Sequence, residues 1–268
     1  METLITIIRE HVEYRKHILK LAKSDIVRTY RAAALGWSWA IIKPAFKIFV
    51  YWFAFAIGLR ASKEIAGYPF FLWLIAGLIP WFYMNDILKQ GIHSIKKYSY
   101  LVTKMRFPMS TIPTFVSISN VFIDLMLIAV MIIIYWVAGY PPDIYTLQLI
   151  FYTICMFVFF TLLAICLSPI VAMSKDFYNL VNSTIVGFFW LSGIMWDVNR
   201  IEILWLRKLL KINPITYICN GFRNSLVYKV WFWEEPKTLL AFCLLTFMVF
   251  IAAIFVYKRL RKDIPDVL

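Results

Sequence analysis

Few residues in this chain have the types and spacing that catalytic chemistry requires. None of the nine glycines begins the pattern G-x-x-x-x-G-K-[ST], so the sequence contains no phosphate-binding loop for ATP. The three histidines, His11, His17 and His93, form no H-E-x-x-H pair and have no cluster of metal ligands around them. No Gly-x-Ser-x-Gly turn for a nucleophilic serine occurs. These patterns disfavour an enzyme and predict a chain with no metal ion or cofactor of its own.

One carboxylate lies where an ionisable group is costly. Asp124 falls well inside a long apolar run. Three polar residues share its predicted helical face: Thr114, Ser117 and Asn120. An ionisable residue within a membrane span usually faces a cavity or a partner. The alternative is a hydrogen-bonded cluster that only positions neighbouring helices, and the sequence leaves both open.

The composition assigns nearly the whole chain to a membrane. Of its 268 residues, 62% are hydrophobic and 16% are charged, whereas a soluble domain is closer to half apolar. The net charge is +13, but the basic residues flank apolar runs. Membrane topology and lipid headgroups explain them better than nucleic acid does. The four cysteines form no CxxC pair, and no disulfide framework is expected.

Apolar runs of about 20 residues predict an all-α polytopic membrane protein with six transmembrane helices in residues 37–268. The predicted spans are 37–59, 69–90, 112–138, 145–173, 179–196 and 238–257. Residues 1–36 contain apolar residues at mostly i+4 spacing and predict an amphipathic helix along the membrane surface. The alternative is a solvated helix that packs on the bundle. Between spans five and six, two short amphipathic halves separated at Asn213-Pro214 predict paired re-entrant helices.

The distribution of basic residues predicts that both termini are cytoplasmic. Seven Lys and Arg residues lie in 1–31, and four lie in the tail after span six. The connector between spans two and three carries four more: Lys96, Lys97, Lys104 and Arg106. This basic connector is also predicted to be a docking site, because a structured polar loop can be bound by another protein.

Several motifs resemble those of type-2 ABC exporter permeases, and together they cover most of the chain. They are Tyr30-Arg31, Leu35-Gly36-x-x-Trp39 with Pro44, Gly77-Leu-Ile-Pro-Trp81, Lys104-Met-Arg-Phe-Pro-Met109, and Asn213-Pro-Ile-Thr-Tyr217 with Gly221-Phe-Arg-Asn-Ser225. The chain looks closest to wall teichoic acid exporter permeases of Gram-positive bacteria, and O-antigen and capsule permeases are similar. It departs from the family at Ser174-Lys-Asp176, where these permeases usually carry Arg-Asp.

The resemblance implies a multi-pass protein of the bacterial cytoplasmic membrane that acts as a homodimer. It implies two separate ATPase subunits that bind ATP and Mg, and a polymer carried on an undecaprenyl-type lipid. It also implies that the connector docks on the ATPase, helped by the N-terminal helix. The candidate coupling residues are Tyr100, Leu101, Lys104, Met105, Arg106, Phe107, Pro108 and Met109.

A phosphate-rich polymer favours a positive potential along its route, and sugars stack on aromatic faces. The candidate path residues are therefore Lys43, Lys47, Trp73, Trp81, Tyr83, Arg200, Arg207, Lys208 and Arg223. Asp124 is a further candidate, because an ionisable residue within a span usually faces a cavity or a partner. For each of the cations and aromatics, packing or anchoring at the membrane interface is the simpler reading. Export of a neutral O-antigen or capsule glycan is an alternative function, and so is a membrane scaffold that transports nothing.

Overall fold

The computed structural model describes residues 2–31, 35–58, 64–105 and 107–268, which are almost entirely helical. The fold class predicted from composition is confirmed. The helices are α1 (Glu2–Glu13), α2 (Arg15–Arg31), α3 (Trp39–Trp52), α4 (Phe70–Asp86), α5 (Ser94–Lys97), α6 (Ser99–Thr103), α7 (Thr111–Val137), α8 (Gln148–Met173), α9 (Lys175–Leu191), α10 (Leu204–Ile212), α11 (Pro214–Arg223), α12 (Pro236–Leu260) and α13 (Ile264–Val267). A two-residue hairpin, β1 (Glu64–Ile65) with β2 (Tyr68–Pro69), precedes α4.

Short 3₁₀ and π-helical segments extend several of these helices. The 3₁₀ turns are Gly36–Ser38, Ile144–Leu147 and Val198–Arg200, and the π-helical turns are Phe53–Gly58, Ile87–Gly91 and Asn224–Tyr228. With these extensions, five helices in the described ranges are long and apolar enough to cross a membrane: Gly36–Gly58, Phe70–Gly91, Thr111–Val137, Ile144–Met173 and Pro236–Leu260. Their bounds lie within a few residues of predicted spans one to four and six.

The fifth predicted span differs most from the structure. Helix α9 begins at Lys175 because the Ser174 hydroxyl accepts a hydrogen bond from the Phe177 amide at 3.3 Å and caps the helix. It ends at Leu191, shortly before Gly193, whose positive φ of 63° turns the chain. The helix is therefore 17 residues long and is shifted toward the N-terminus of the predicted segment. The count of six spans stays a prediction.

Helix α4 occupies the centre of the bundle. Fourteen of its 17 residues are buried, and it packs against α7, α8 and α11. Helices α3 and α12 lie at the periphery, and only Ala40 of α3 is buried. The apolar side chains that α3 and α12 expose match an apolar surrounding such as lipid.

The N-terminal segment forms two helices rather than one. The break between them is at Tyr14. Helical hydrogen bonds continue across it, because the Tyr14 amide donates to the Glu10 carbonyl and the Ile18 amide donates to the Tyr14 carbonyl. Along α2, the apolar stripe of Ile18 and Ala22 is buried against a cluster that includes α7. Exposed Ile, Leu and Val side chains remain on α1 and α2, so contact of these helices with the membrane surface stays a prediction.

The two short helices predicted before the last span are present as α10 and α11, separated at Asn213. The side chain of Asn213 caps α11, because its Oδ1 atom accepts a hydrogen bond from the Ile215 backbone amide at 2.9 Å. The Nδ2 atom of the same side chain donates to the Ser192 hydroxyl at 2.8 Å. Helix α10 has no buried residue, whereas most of α11 is buried against α4 and α8. Their entry into a membrane leaflet stays a prediction.

The tight packing of α11 generates a stability prediction. A Cβ at Gly221 would lie 2.2 Å from a ring carbon of the buried Tyr152, so Gly221→Ala should cost about 1–3 kcal/mol through overpacking. A Cβ at Gly187 of α9 would meet nothing within 4 Å, so Gly187→Ala is the matched control. Thermal unfolding in detergent measures both. Equal unfolding temperatures for the two variants would contradict the packing of α11 on α8.

Candidate functional site

One end of the bundle, here called the base, gathers the N-terminal helices, the connector at residues 94–110 and the end of α12. The connector forms α5 and α6 and then turns back into α7. The turn is closed by the Phe107 amide, which donates to the Leu101 carbonyl at 2.9 Å, and by the Thr111 hydroxyl, which donates to the Pro108 carbonyl at 2.7 Å. These bonds satisfy backbone groups that leave the helices.

Asp25 on α2 ties the N-terminal helices to the connector. Its buried carboxylate accepts hydrogen bonds from the Tyr98 hydroxyl and from the Ser119 hydroxyl, the latter at 2.7 Å. The Lys97 ammonium lies 3.4 Å from the same carboxylate and forms an ion pair with it. Removing a partner from a buried, hydrogen-bonded charge is strongly destabilising. Asp25 therefore holds α2, α5 and α7 in one arrangement.

Glu10 on α1 makes a second attachment, again through a carboxylate surrounded by hydroxyl donors and one basic side chain. Its carboxylate accepts hydrogen bonds from the Ser110 hydroxyl at the start of α7 and from the Tyr257 hydroxyl of α12 at 3.1 Å. The Arg261 guanidinium completes the site with an ion pair at 2.8 Å. Glu10 thus joins the connector to the last long helix, although the two are far apart in sequence.

Two ionisable groups of the connector are held uncharged. Burial raises the pKa of the Tyr98 hydroxyl well above its ordinary value, and the hydrogen bond to Asp25 and the charge of Asp25 act in the same direction. Partial burial lowers the pKa of the His93 imidazole, and the charges of Lys96 and Lys97 lower it further. At neutral pH, Tyr98 is therefore a fixed hydrogen-bond donor, and His93 adds no positive charge to the base.

A cleft of about 630 Å³ opens between α1, the connector and the end of α12. Glu10, Tyr14, Phe107 and Arg261 line it, and the rings of Tyr14 and Phe107 meet edge to face with centroids 5.3 Å apart. Met105 lies on the outside of the same turn and is 66% exposed. The base therefore combines a rigid cleft with a protruding apolar side chain, as protein docking sites do.

The structure divides the candidate coupling residues into two groups. Tyr100, Lys104 and Met105 are exposed at the base, and Pro108 is partly so. Leu101, Phe107 and Met109 instead point into the core of the base. Arg106 lies outside the described residues.

Sequence reasoning did not single out Glu10 and Asp25. The signal was present, because Glu10 shares the i+4 series that leads through Tyr14 to Ile18, and Asp25 lies three residues after the buried Ala22. A carboxylate on the apolar stripe of an amphipathic helix indicates a buried partner.

The aromatic path candidates are packed inside this chain. Trp73, Trp81 and Tyr83 are all buried, and the Trp73 indole donates to the Tyr228 hydroxyl at 2.9 Å. Among the cationic candidates, Lys43, Lys47, Arg200 and Lys208 are exposed, and Arg207 is partly exposed. Asp124 is buried.

Arg223 is placed differently from the other cations. It is 1% exposed, and its guanidinium stacks on the Trp73 ring at 3.5 Å from the centroid. It donates to the carbonyls of Gly193, at 2.8 Å, and Ile194, where the chain leaves α9. Gly77 makes room for it, because a Cβ there would lie 2.5 Å from a guanidinium nitrogen. Arg223 therefore satisfies a broken stretch of backbone and fixes α11 to α4.

The structure combines a bundle of apolar helices, paired short helices before the last long helix, and a helical connector at the base. Residues 16–227 match the model of the ABC-2 type transporter family, and the chain belongs to that family.

The chain is similar along nearly its full length to O-antigen export system permease proteins named RfbA. It is 22% identical to the one from Myxococcus xanthus over 268 residues, which cover 98% of this chain and 99% of the relative. It is 23% identical to one from Klebsiella pneumoniae over 258 residues, 94% of each chain. A further Klebsiella pneumoniae protein of that name is 24% identical over 216 residues, 77% of this chain and 78% of the relative.

The Arg223 contacts predict that its role is in folding. Arg223→Gln should leave the Gly193 and Ile194 carbonyls without their donor, at about 1–3 kcal/mol for each group. Lys208→Gln, which removes an exposed cation nearby on α10, should leave the unfolding temperature unchanged. Thermal unfolding of both variants checks this. An Arg223→Gln protein that unfolds normally but no longer transports would instead place Arg223 on the substrate path.

Proposed function

We propose that this chain is the membrane-spanning permease subunit of an ATP-driven exporter for a lipid-linked cell-surface polysaccharide. The observation that carries the proposal is membership of the ABC-2 type transporter family together with end-to-end similarity to export permeases of matching length. The fold supports it, since the helices supply a membrane domain and the base supplies a docking surface. A membrane scaffold without transport is the alternative.

The energy for transport is proposed to come from two separate ATPase subunits, because this sequence has no phosphate-binding loop. Their docking surface is the base, which in this proposal faces the cytoplasm. Tyr100, Lys104 and Met105 are exposed there. The carboxylates of Glu10 and Asp25 connect this surface to α7 and α12. In this proposal, a displacement of the connector is transmitted to these two long helices through those hydrogen bonds.

A homodimer is proposed as the working unit. Helix α3 and the π-helical turn that follows it expose three large aromatic side chains along one face: Phe46, Phe49 and Phe53. One bundle of this size fills its own interior, as the buried Trp73 illustrates. A route wide enough for a polymer is therefore better formed between two copies.

Two classes of polymer are supported by different observations. The relatives are O-antigen export permeases, which favours an O-antigen type of glycan. The exposed cations Arg200 and Lys208 and the partly exposed Arg207, at the end of the bundle opposite the base, favour an anionic polymer such as wall teichoic acid. In both cases we propose an undecaprenyl-type lipid carrier and a location in the bacterial cytoplasmic membrane.

The docking proposal predicts that Met105→Asp uncouples the complex. A charge at this exposed apolar contact should cost about 2 kcal/mol of binding, or roughly thirtyfold in affinity for the ATPase subunit. Co-purification of the ATPase and its stimulated ATP hydrolysis are the measurements. Ile144→Asp introduces the same charge at an exposed apolar residue at the other end of the bundle and should change neither. Normal coupling in Met105→Asp would leave the connector as a topology anchor only.

The charge of the polymer can be tested on the outer cations. Replacing Arg200, Arg207 and Lys208 together by Gln removes three positive charges from one surface. Delivery of an anionic polymer to the cell surface should fall several-fold, because its local concentration at the exit depends on the potential there. Delivery of a neutral glycan should not change. Normal delivery of any polymer in cells depleted of the protein would favour the scaffold instead.

A further inference from the structure

A polar chamber and an apolar groove meet beside α3, on the side where it faces α4 and α7. The chamber has a volume of about 200 Å³ and is lined by residues of α2, α3, α4 and α7. The groove, of about 240 Å³, is lined almost wholly by apolar side chains, among them Ile48, Trp52 and Ile134. Pro44 and Leu127 line both volumes. Chamber and groove therefore form one amphipathic slot.

The chamber carries charges of both signs. Lys43 and Lys47 stand one turn apart at its exposed rim, and each ammonium lies over an aromatic ring at 5.6 and 5.5 Å from the centroid. Within the described ranges, neither lysine forms an ion pair. Asp86 and Asp124 line the same chamber. The formal charge of these four groups is zero, with the cations outermost.

Asp124 is the member of the chamber that lacks a partner. It is 2% exposed, and neither of its carboxylate oxygens has a hydrogen-bond partner among the described residues. The lysines are near enough to Asp86 for their charges to interact with it, whereas the charged neighbour of Asp124 is Asp86 itself. A buried carboxylate beside another carboxylate is costly unless a cationic donor reaches it.

We infer that this slot binds a zwitterionic aminophospholipid, of which phosphatidylethanolamine is the simplest. Its ammonium group donates hydrogen bonds to the Asp124 carboxylate, whose oxygens are enclosed in the unliganded structure and turn toward the chamber to accept them. Its phosphate lies at the rim between Lys43 and Lys47, and an acyl chain follows the groove past Leu127. The order of amine, phosphate and chain in the lipid matches the order of carboxylate, lysines and apolar wall in the protein.

Other membrane lipids fit this set of groups less well. Phosphatidylglycerol supplies the phosphate but no cation for Asp124. Phosphatidylcholine carries a quaternary ammonium, which has no N–H to donate. The inference does not rest on what the protein exports, because a lipid of this kind would hold α3 in place whatever polymer is transported.

Native mass spectrometry of the full chain, purified with its partners and partly delipidated, tests the inference. The probes are phosphatidylethanolamine, phosphatidylcholine and phosphatidylglycerol with identical acyl chains. Phosphatidylethanolamine should bind roughly tenfold more tightly than either of the others, because a hydrogen bond to a charged group is worth about 1.5–3 kcal/mol. Equal or tighter binding of phosphatidylglycerol would overturn the role of Asp124.

Variants separate the three parts of the slot. Asp124→Asn should lower the affinity for phosphatidylethanolamine roughly tenfold, to that of phosphatidylcholine. Lys43→Gln combined with Lys47→Gln should weaken all three lipids alike. Phe255→Ala, at an exposed position of α12 outside the slot, is the control and should change nothing.

Ala45→Phe keeps every charge and fills the groove, so it decides the question even if Asp124→Asn fails to fold. It should weaken the binding of all three lipids. Unchanged retention of phosphatidylethanolamine in Ala45→Phe would overturn the inference, as would unchanged retention in a folded Asp124→Asn protein.

Discussion

Polar groups inside an apolar surrounding need partners, and this constraint determines how the molecule is held together. Where α9 ends, the backbone leaves helical geometry at Gly193 and Ile194, and the Arg223 guanidinium supplies the missing donors. Gly193 and Ile194 are buried inside the protein, so their carbonyls would lack donors without the buried cation that covers them. The same cation fixes α11 against Trp73, which explains why a helix of ten residues can be among the most buried parts of the chain.

At the base, the constraint is met by anions rather than by a cation. Glu10 and Asp25 are each surrounded by hydroxyl donors and one basic side chain, so their charges are buried with full compensation. Such sites add little net stability compared with an apolar core, but the loss of one partner leaves a buried charge uncompensated and destabilises the fold strongly. They specify one arrangement of α1, α2, the connector and α12. In the proposed complex with an ATPase, a base with a single fixed arrangement would pass movements on to the long helices.

Most of the long helices could be predicted from sequence, because their apolar runs are bounded by charges or by turn residues. The fold of the connector could not. Its residues 100–109 looked like one exposed handle, but Phe107 and Met109 pack inward against Tyr14 and its neighbours, and that partner is distant in sequence. The burial of Arg223 could not be predicted for a related reason. Arg223 follows Cys219 by four residues, on the buried face of α11, and only the tertiary structure shows which face that is.

Helix α3 makes few contacts within the chain, whereas α4 is buried along most of its length. In lipid, no hydrophobic force presses an apolar helix onto its neighbours, so packing and polar contacts must position it. Helix α4 meets this requirement through dense packing on three helices, whereas α3 buries only Ala40 among its own residues. Its polar side chains, Lys43 and Lys47, face a chamber that contains an unpartnered Asp124. A lipid that bridges those charges and fills the groove would supply the contacts that the chain itself does not make. The attachment of α3 would then be reversible.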